Sequence, residues 1–164
     1  MDRRRYLAAA GAVAVAGCLG SNEDGEASGG DGGGTAYRQG DRQQMLLTEA
    51  DFPSGWRRDE ERDQNFDAVF RNPNSGVLVM NSVEIYESIS EAQRNLSNAK
   101  VGLQQPQTLD IAEEAFGGKR GLAFIMFRDG NAVGQVAGLR SNGAPAWDAT
   151  DRYARMAYTK WQQM

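Results

Sequence analysis

Residues 20–40 hold eight glycines with Glu23, Asp24, Glu26 and Asp31, and between Leu19 and Tyr37 the only apolar residues are two alanines. Such a stretch cannot bury enough surface to offset the entropy of ordering it, so it reads as a disordered leash that divides the chain. A phosphate-cradling loop is the other reading of clustered glycines, but no strand precedes them and no lysine follows in register. Everything able to build a core lies beyond the leash. About 120 residues are left there, enough for one domain with a real core. Three parts are therefore expected: 1–17, a leash over 18–41, and one domain over 42–164.

The first part has its own logic. Arg3, Arg4 and Arg5 form a basic head, and residues 7–16 form an apolar middle. As a helix that middle spans roughly 15 Å, half of a ~30 Å hydrocarbon core, so it suits a secretory signal and not a membrane span. Arg3-Arg4-Arg5-Tyr6-Leu7 resembles the twin-arginine export signal, through Arg3, Arg4, Tyr6 and Leu7. A generic basic head feeding the general secretory route is the alternative. Val15-Ala16-Gly17-Cys18 resembles a lipobox, which implies that Cys18 is lipidated on its thiol and becomes the mature N-terminus; the plain alternative is an ordinary buried thiol. Cys18 is the only cysteine, so no intramolecular disulfide can form.

Without residues 1–17 the chain keeps 15 basic and 21 acidic residues, and only Lys100, Lys119 and Lys160 are lysine. An acidic, lysine-poor chain without histidine resembles exported lipoproteins of salt-loving archaea, where high salt screens self-repulsion. A mildly acidic surface of no special origin is the simpler reading. No basic stripe with interleaved aromatics appears, which argues against nucleic acid as a partner.

Within the domain, periodicity predicts the elements. Residues 43–49 read as a short helical start, Phe52-Pro53-Ser54-Gly55-Trp56 as a turn, and 56–59 as the opening of a strand. Phe66, Ala68 and Phe70 alternate with polar residues, and Asn72-Pro73-Asn74-Ser75-Gly76 is turn chemistry. Val77, Val79, Val83 and Ile85 then share one face, interrupted by Asn81, so the two segments should pair as a hairpin. Ile89, Ala92, Leu96, Ala99 and Leu103 mark a helical stripe, with Ser90 as the expected cap. A short strand is expected over 108–111, and residues 113–118 read as a lead into a loop. Residues 122–127 are apolar on both alternating faces, as in a central strand. Arg128-Asp129-Gly130-Asn131 is a tight hairpin turn into a partner strand over 132–139. Trp147, Ala154, Ala157, Tyr158 and Trp161 line one face of a closing helix.

The expected class is α+β, an antiparallel sheet of five or six strands with two main helices on one face. The phrases Leu46–Trp56 (beginning Leu46-Leu47-Thr48-Glu49), Val83-Glu84-Ile85-Tyr86, Glu113-Glu114-Ala115-Phe116-Gly117 and Phe127-Arg128-Asp129-Gly130-Asn131-Ala132-Val133 resemble small extracytoplasmic lipoprotein domains. Similar phrases occur in sensor domains outside certain bacterial membrane kinases, and the element order is similar to PsbP/Mog1-like folds. The resemblance spans most of 45–161 and implies fold and location. It supplies no catalytic residue.

The side chains limit the chemistry. Without histidine, and with no cysteine after Cys18, the Ser–His and Cys–His pairs and the usual zinc sets are excluded. Asp59, Glu60, Glu61 and Asp63 could gather round a hard cation but lack a calcium loop's spacing, so a solvated acidic loop is expected and no metal site. Glu113 and Glu114 are adjacent, hence expected to diverge and not to act as an acid/base pair. Lys119 and Arg120, in Gly117-Gly118-Lys119-Arg120-Gly121, form a candidate anion site or simply a turn. Asn95-Leu96-Ser97 is a candidate glycosylation acceptor, on a helix. Trp56, Trp147, Trp161, Phe66, Phe116 and Tyr153 suggest either core or an aromatic-lined pocket.

These features lead to a membrane-anchored extracytoplasmic lipoprotein acting as a non-enzymatic binding domain. Its expected partners are membrane lipid through Cys18 and an envelope protein complex, with no cofactor. The alternatives are a small carboxylate-dependent hydrolase and a solute-binding accessory of a transporter.

Overall fold

The computed structural model describes residues 36–63 and 66–164. Arg3, Arg4, Tyr6, Leu7 and the box at 15–18, with Cys18, lie outside the described residues. The elements are α1 (Arg42–Met45), β1 (Arg57–Arg58), β2 (Ala68–Asn72), β3 (Val77–Ile85), α2 (Ile89–Lys100), β4 (Gln104–Thr108), β5 (Glu114–Lys119), β6 (Ala123–Asp129), β7 (Ala132–Arg140) and α3 (Trp147–Trp161). Short 3-10 turns lie at Gln39–Asp41, Glu49–Asp51 and Glu60–Arg62. All strands join one antiparallel sheet in the order β1-β2-β3-β7-β6-β5-β4. No described helix is long and apolar enough to cross a membrane.

The α+β class and the antiparallel sheet match expectation; the strand count is seven, not five or six. The added strand is β5, whose Gly117-Gly118 looks like loop sequence. In the fold Leu103 covers Gly118 and Leu109 and Trp147 cover Gly117, so these positions serve close packing. β4 begins four residues earlier than the strand expected over 108–111. It is exposed throughout and carries Pro106, which blunts that edge of the sheet. The cap of α2 is Ser88, whose hydroxyl accepts from the Glu91 amide at 3.1 Å, and not Ser90.

The two main helices lie on opposite faces, which corrects the expectation of one helical face. β6 shows why. Its Ile125 and Phe127 pack with Tyr153, Ala154, Ala157 and Trp161 of α3. The intervening Met126, with Phe116 and Val133 beside it, packs with Ala92 and Leu96 of α2. A strand apolar on both sides needs cover on both sides. α3 lies close on β7: a Cβ at Gly134 would fall 2.7 Å from Phe127 Cε2 and 2.8 Å from Trp161 Cη2, so only glycine fits.

The fold also begins earlier than residue 42. Tyr37, placed in the leash by composition, is buried in the main core. Its amide donates to Asn131 Oδ1 at 2.7 Å and its hydroxyl to Asp129 Oδ2 at 2.6 Å. Asn131 Nδ2 donates back to the Tyr37 carbonyl at 3.1 Å and to the Tyr86 carbonyl at 2.7 Å. The β6–β7 turn, with Gly130 at φ +54°, thus clamps the chain where it enters the domain. These partners are more than 90 residues away, so no local pattern announces them.

Lys160 ties the end of α3 to the opening turns, donating to the Leu46 carbonyl and to Asp51 Oδ2, both at 2.8 Å. Burial alone would raise the Asp51 carboxyl, but hydrogen bonds from Lys160 and from the Thr48 amide and hydroxyl outweigh it and hold it below its usual 3.8. A carboxyl depressed in the native state adds stability above its unfolded value, and that contribution disappears as pH falls through the native one. Asp51→Asn is expected to lower stability at pH 7. It should also flatten the part of the acid limb that lies below about pH 3.8, as followed by urea unfolding across pH. Equal acid limbs for the two proteins would refute this role.

Candidate functional site

α2 covers only part of its face of the sheet. On the other half of that face, register places Val69 of β2 beside Met80 of β3, and Leu78 beside Leu139 of β7. Leu78, Met80, Leu139 and Leu122 stay half-buried. They floor a cleft of about 370 Å³, with Val69 beneath and Phe66, Glu61 and Arg62 at its side. A second depression of about 410 Å³ shares Leu78, Leu139 and Arg62, and extends the site round the strand ends to Arg71, Arg140 and Ser141. The result is one amphipathic cleft, apolar along the sheet and basic at its end.

Local chemistry builds the basic end from two hairpin tips. Asn72 Oδ1 accepts from the amides of Asn74 and Ser75 at 3.0 and 3.1 Å, an Asx turn that closes β2–β3. Ser141 donates its amide to the Gly76 carbonyl at 2.6 Å and ties that tip to the end of β7. Arg71 stands directly opposite Arg57 across β1–β2, an unfavourable pairing unless something neutralises it. Arg71 and Arg62 share one carboxylate, Asp59, at 3.7 and 3.5 Å, longer than good charge-assisted contacts. Arg140 meets Asp148 at 3.0 Å, a carboxylate 84% exposed. Arg57 forms no ion pair among the described residues. In a chain of net charge −4 this is a local positive excess.

Of the residues singled out from sequence, Asp59, Glu61 and Phe66 line the cleft and the others fall elsewhere. Lys119 ends β5 and lines a separate depression with Trp147, Asp148 and Asp151, so two carboxylates face it. Arg120 is exposed in the following turn and does not line that depression. Asn95 lies inside α2 and its side-chain nitrogen donates to the Glu91 carbonyl at 3.0 Å. Asp63 accepts from Arg58 Nη2 at 2.9 Å and from the Val69 amide at 2.8 Å, so its oxygens serve the fold. Among the described residues no group of three acidic, histidine or cysteine side chains converges as a metal site.

Two readings change. Glu113 and Glu114, expected to diverge, both reach Arg128, at 2.6 and 2.9 Å, because the guanidinium fork spans adjacent carboxylates. The aromatic residues do not enclose one pocket. Trp56, Tyr153 and Trp161 pack in the α3-side core, Phe116 lies across the sheet, and Trp147 and Phe66 line separate depressions. Phe52 fills the space between Phe70 and Tyr153, with ring centroids 4.3 Å from each. The arginine rim was the feature missed in sequence. Its only local trace is the preference for arginine over lysine. No protein-family model, curated protein or solved structure matches this chain.

Proposed function

We propose that this chain is a membrane-anchored extracytoplasmic lipoprotein, held by lipid on Cys18, whose domain binds a ligand or envelope partner through the arginine-rimmed cleft without catalysing a reaction. One geometric observation carries the reading. The chain enters the domain at Tyr37, beside the turn that joins β6 to β7, whereas the cleft lies at the other end of the same strands. β3 runs between the two ends, and its nine residues span about 26 Å. The cleft and the residue where the chain enters the domain thus lie at opposite ends of the sheet.

The basic head, the short apolar run and the lipobox-like Val15-Ala16-Gly17-Cys18 support export and anchorage. The pairing of Glu113 and Glu114 with Arg128 supports a structural role for the carboxylates that a hydrolase would need free. The test is fractionation of cells producing the full chain. The parent protein is expected in membranes with an acyl label, and Cys18→Ala should lose the label and leave the membrane fraction. Recovery of a membrane partner should depend on Leu78, so Leu78→Glu is expected to abolish it. Acyl labelling that persists in Cys18→Ala would overturn the anchor, and partner capture indifferent to Leu78→Glu would overturn the cleft.

A further inference from the structure

The geometry points to a small anionic amphiphile as the ligand of this cleft, its hydrocarbon chain on Val69, Leu78, Met80 and Leu139 and its carboxylate head among Arg62, Arg71 and Arg140. The inference rests on the binding reading above and names the ligand class. The floor consists of aliphatic and thioether side chains that offer no hydrogen bond, and it crosses three adjacent strands. A chain of methylenes is the complement of such a floor. The end of the cleft is different. Arg71 faces Arg57 across a strand pair, and Arg62 and Arg71 divide a single carboxylate at 3.5 and 3.7 Å. A guanidinium recognises a carboxylate through two parallel N–H donors, and here the nearby Asp59 leaves that capacity underused. The volumes, about 370 and 410 Å³, suit a small molecule.

Charge also argues against the other occupants. A second copy whose two-fold axis passed through the arginine rim would bring that rim against itself. A peptide adding to the sheet would meet β1, which is two residues long and bears Arg57 and Arg58, a blunted edge.

The test uses the full chain carrying Cys18→Ala, isolated without detergent, with sodium octanoate, sodium decanoate and 1-decanol below their aggregation limits. Calorimetry reads affinity and amide chemical shifts read location. Each buried methylene strengthens binding about fourfold, so decanoate should bind more than tenfold tighter than octanoate. Shifts should concentrate at residues 69, 78–80 and 139–141. The double variant Arg62→Gln/Arg71→Gln is expected to weaken decanoate roughly tenfold and leave 1-decanol unchanged. Leu78→Glu should abolish binding of both; if its circular dichroism is not native, Met80→Gln, at a half-exposed position, serves instead. Equal affinity for octanoate and decanoate overturns the proposal, as does a double variant that binds decanoate like the parent. A dimer in sedimentation that Leu78→Glu dissolves would assign the face to a second copy and also overturn it. Failure of both acids while partner capture still depends on Leu78 would reject the ligand class and keep the binding function.

Discussion

Trp161→Ala is expected to remove about 3–5 kcal/mol of folding free energy, the cost of deleting a large aromatic side chain from a core that cannot collapse around the space. Trp161 is 1% exposed. Its ring meets Phe127 at 4.8 Å between centroids and Tyr37 edge-on at 5.9 Å. Its Nε1 donates to the Met45 carbonyl at 2.9 Å. One side chain therefore joins the last helix, the central strand, the opening helix and the residue where the chain enters the domain. Gly134, which the indole covers, has no side chain that could move into the vacated space, so relaxation is limited. Trp161→Phe keeps most of the volume and loses the indole N–H, which leaves the Met45 carbonyl without that donor; about 1–2 kcal/mol is expected. Urea unfolding should show a lower midpoint for both variants at an unchanged slope. For a domain of this size the alanine variant should melt roughly 10–20 °C lower. A Trp161→Ala protein within about 1 kcal/mol of the parent would contradict this account of the core.

Arg128→Ala is the second large effect, about 2–3 kcal/mol. The guanidinium is 5% exposed yet fully engaged, donating to the Gly130 carbonyl at 2.7 Å and pairing with Glu113 and Glu114. Removing one partner of a buried ion pair costs more than the pair contributes, because the charges left behind are poorly solvated. Glu113 and Glu114 are 35% and 42% exposed and can rotate toward water, which sets the estimate below that for a fully enclosed pair. Gln93 of α2 also donates to Glu114, at 3.3 Å, so the loss reaches the helix on that face. Arg128→Met in a Glu113→Gln/Glu114→Gln background should recover most of the deficit. A cycle built from these variants is expected to give a coupling above about 1 kcal/mol by denaturant unfolding. Coupling below about 0.5 kcal/mol would make the three side chains independent and refute the bridge.

Much of the fold was legible because its signals are local. The alternation in β3, the Asp-Gly turn after β6 and the aromatic stripe of α3 each follow from residues close in sequence. Asn81 stood out as an interruption in an apolar face, and its reason is tertiary. Its Oδ1 accepts from the Leu47 amide at 2.9 Å and its Nδ2 donates to the Gln135 carbonyl at 3.1 Å, so a polar group at the centre of the core is satisfied. β6 carries a further signal. A strand apolar on both faces already implies two covering layers, yet the periodicities of α2 and α3 say only that each helix has a buried side. They do not say which face of the sheet it meets. Glu113 and Glu114 converge for a related reason: their direction depends on the reach of Arg128 from the next strand, which adjacency in sequence does not show.

The sequence by itself determined what is periodic or close at hand: which segments extend or coil, where the chain turns, and that histidine and cysteine chemistry is closed to the domain. The tertiary structure alone decided the rest. Strand order placed β7 between β3 and β6, and this set α2 and α3 on opposite faces and left half of one face bare. Register then set Arg71 beside Leu78 on that bare face, while Arg140, opposite Val77, and Arg62, from the turn before β2, reach the same strand ends from other segments. The physical reason is range. Backbone preference and side-chain period act over a few residues, whereas a cleft is made by side chains whose meeting depends on how distant strands pair.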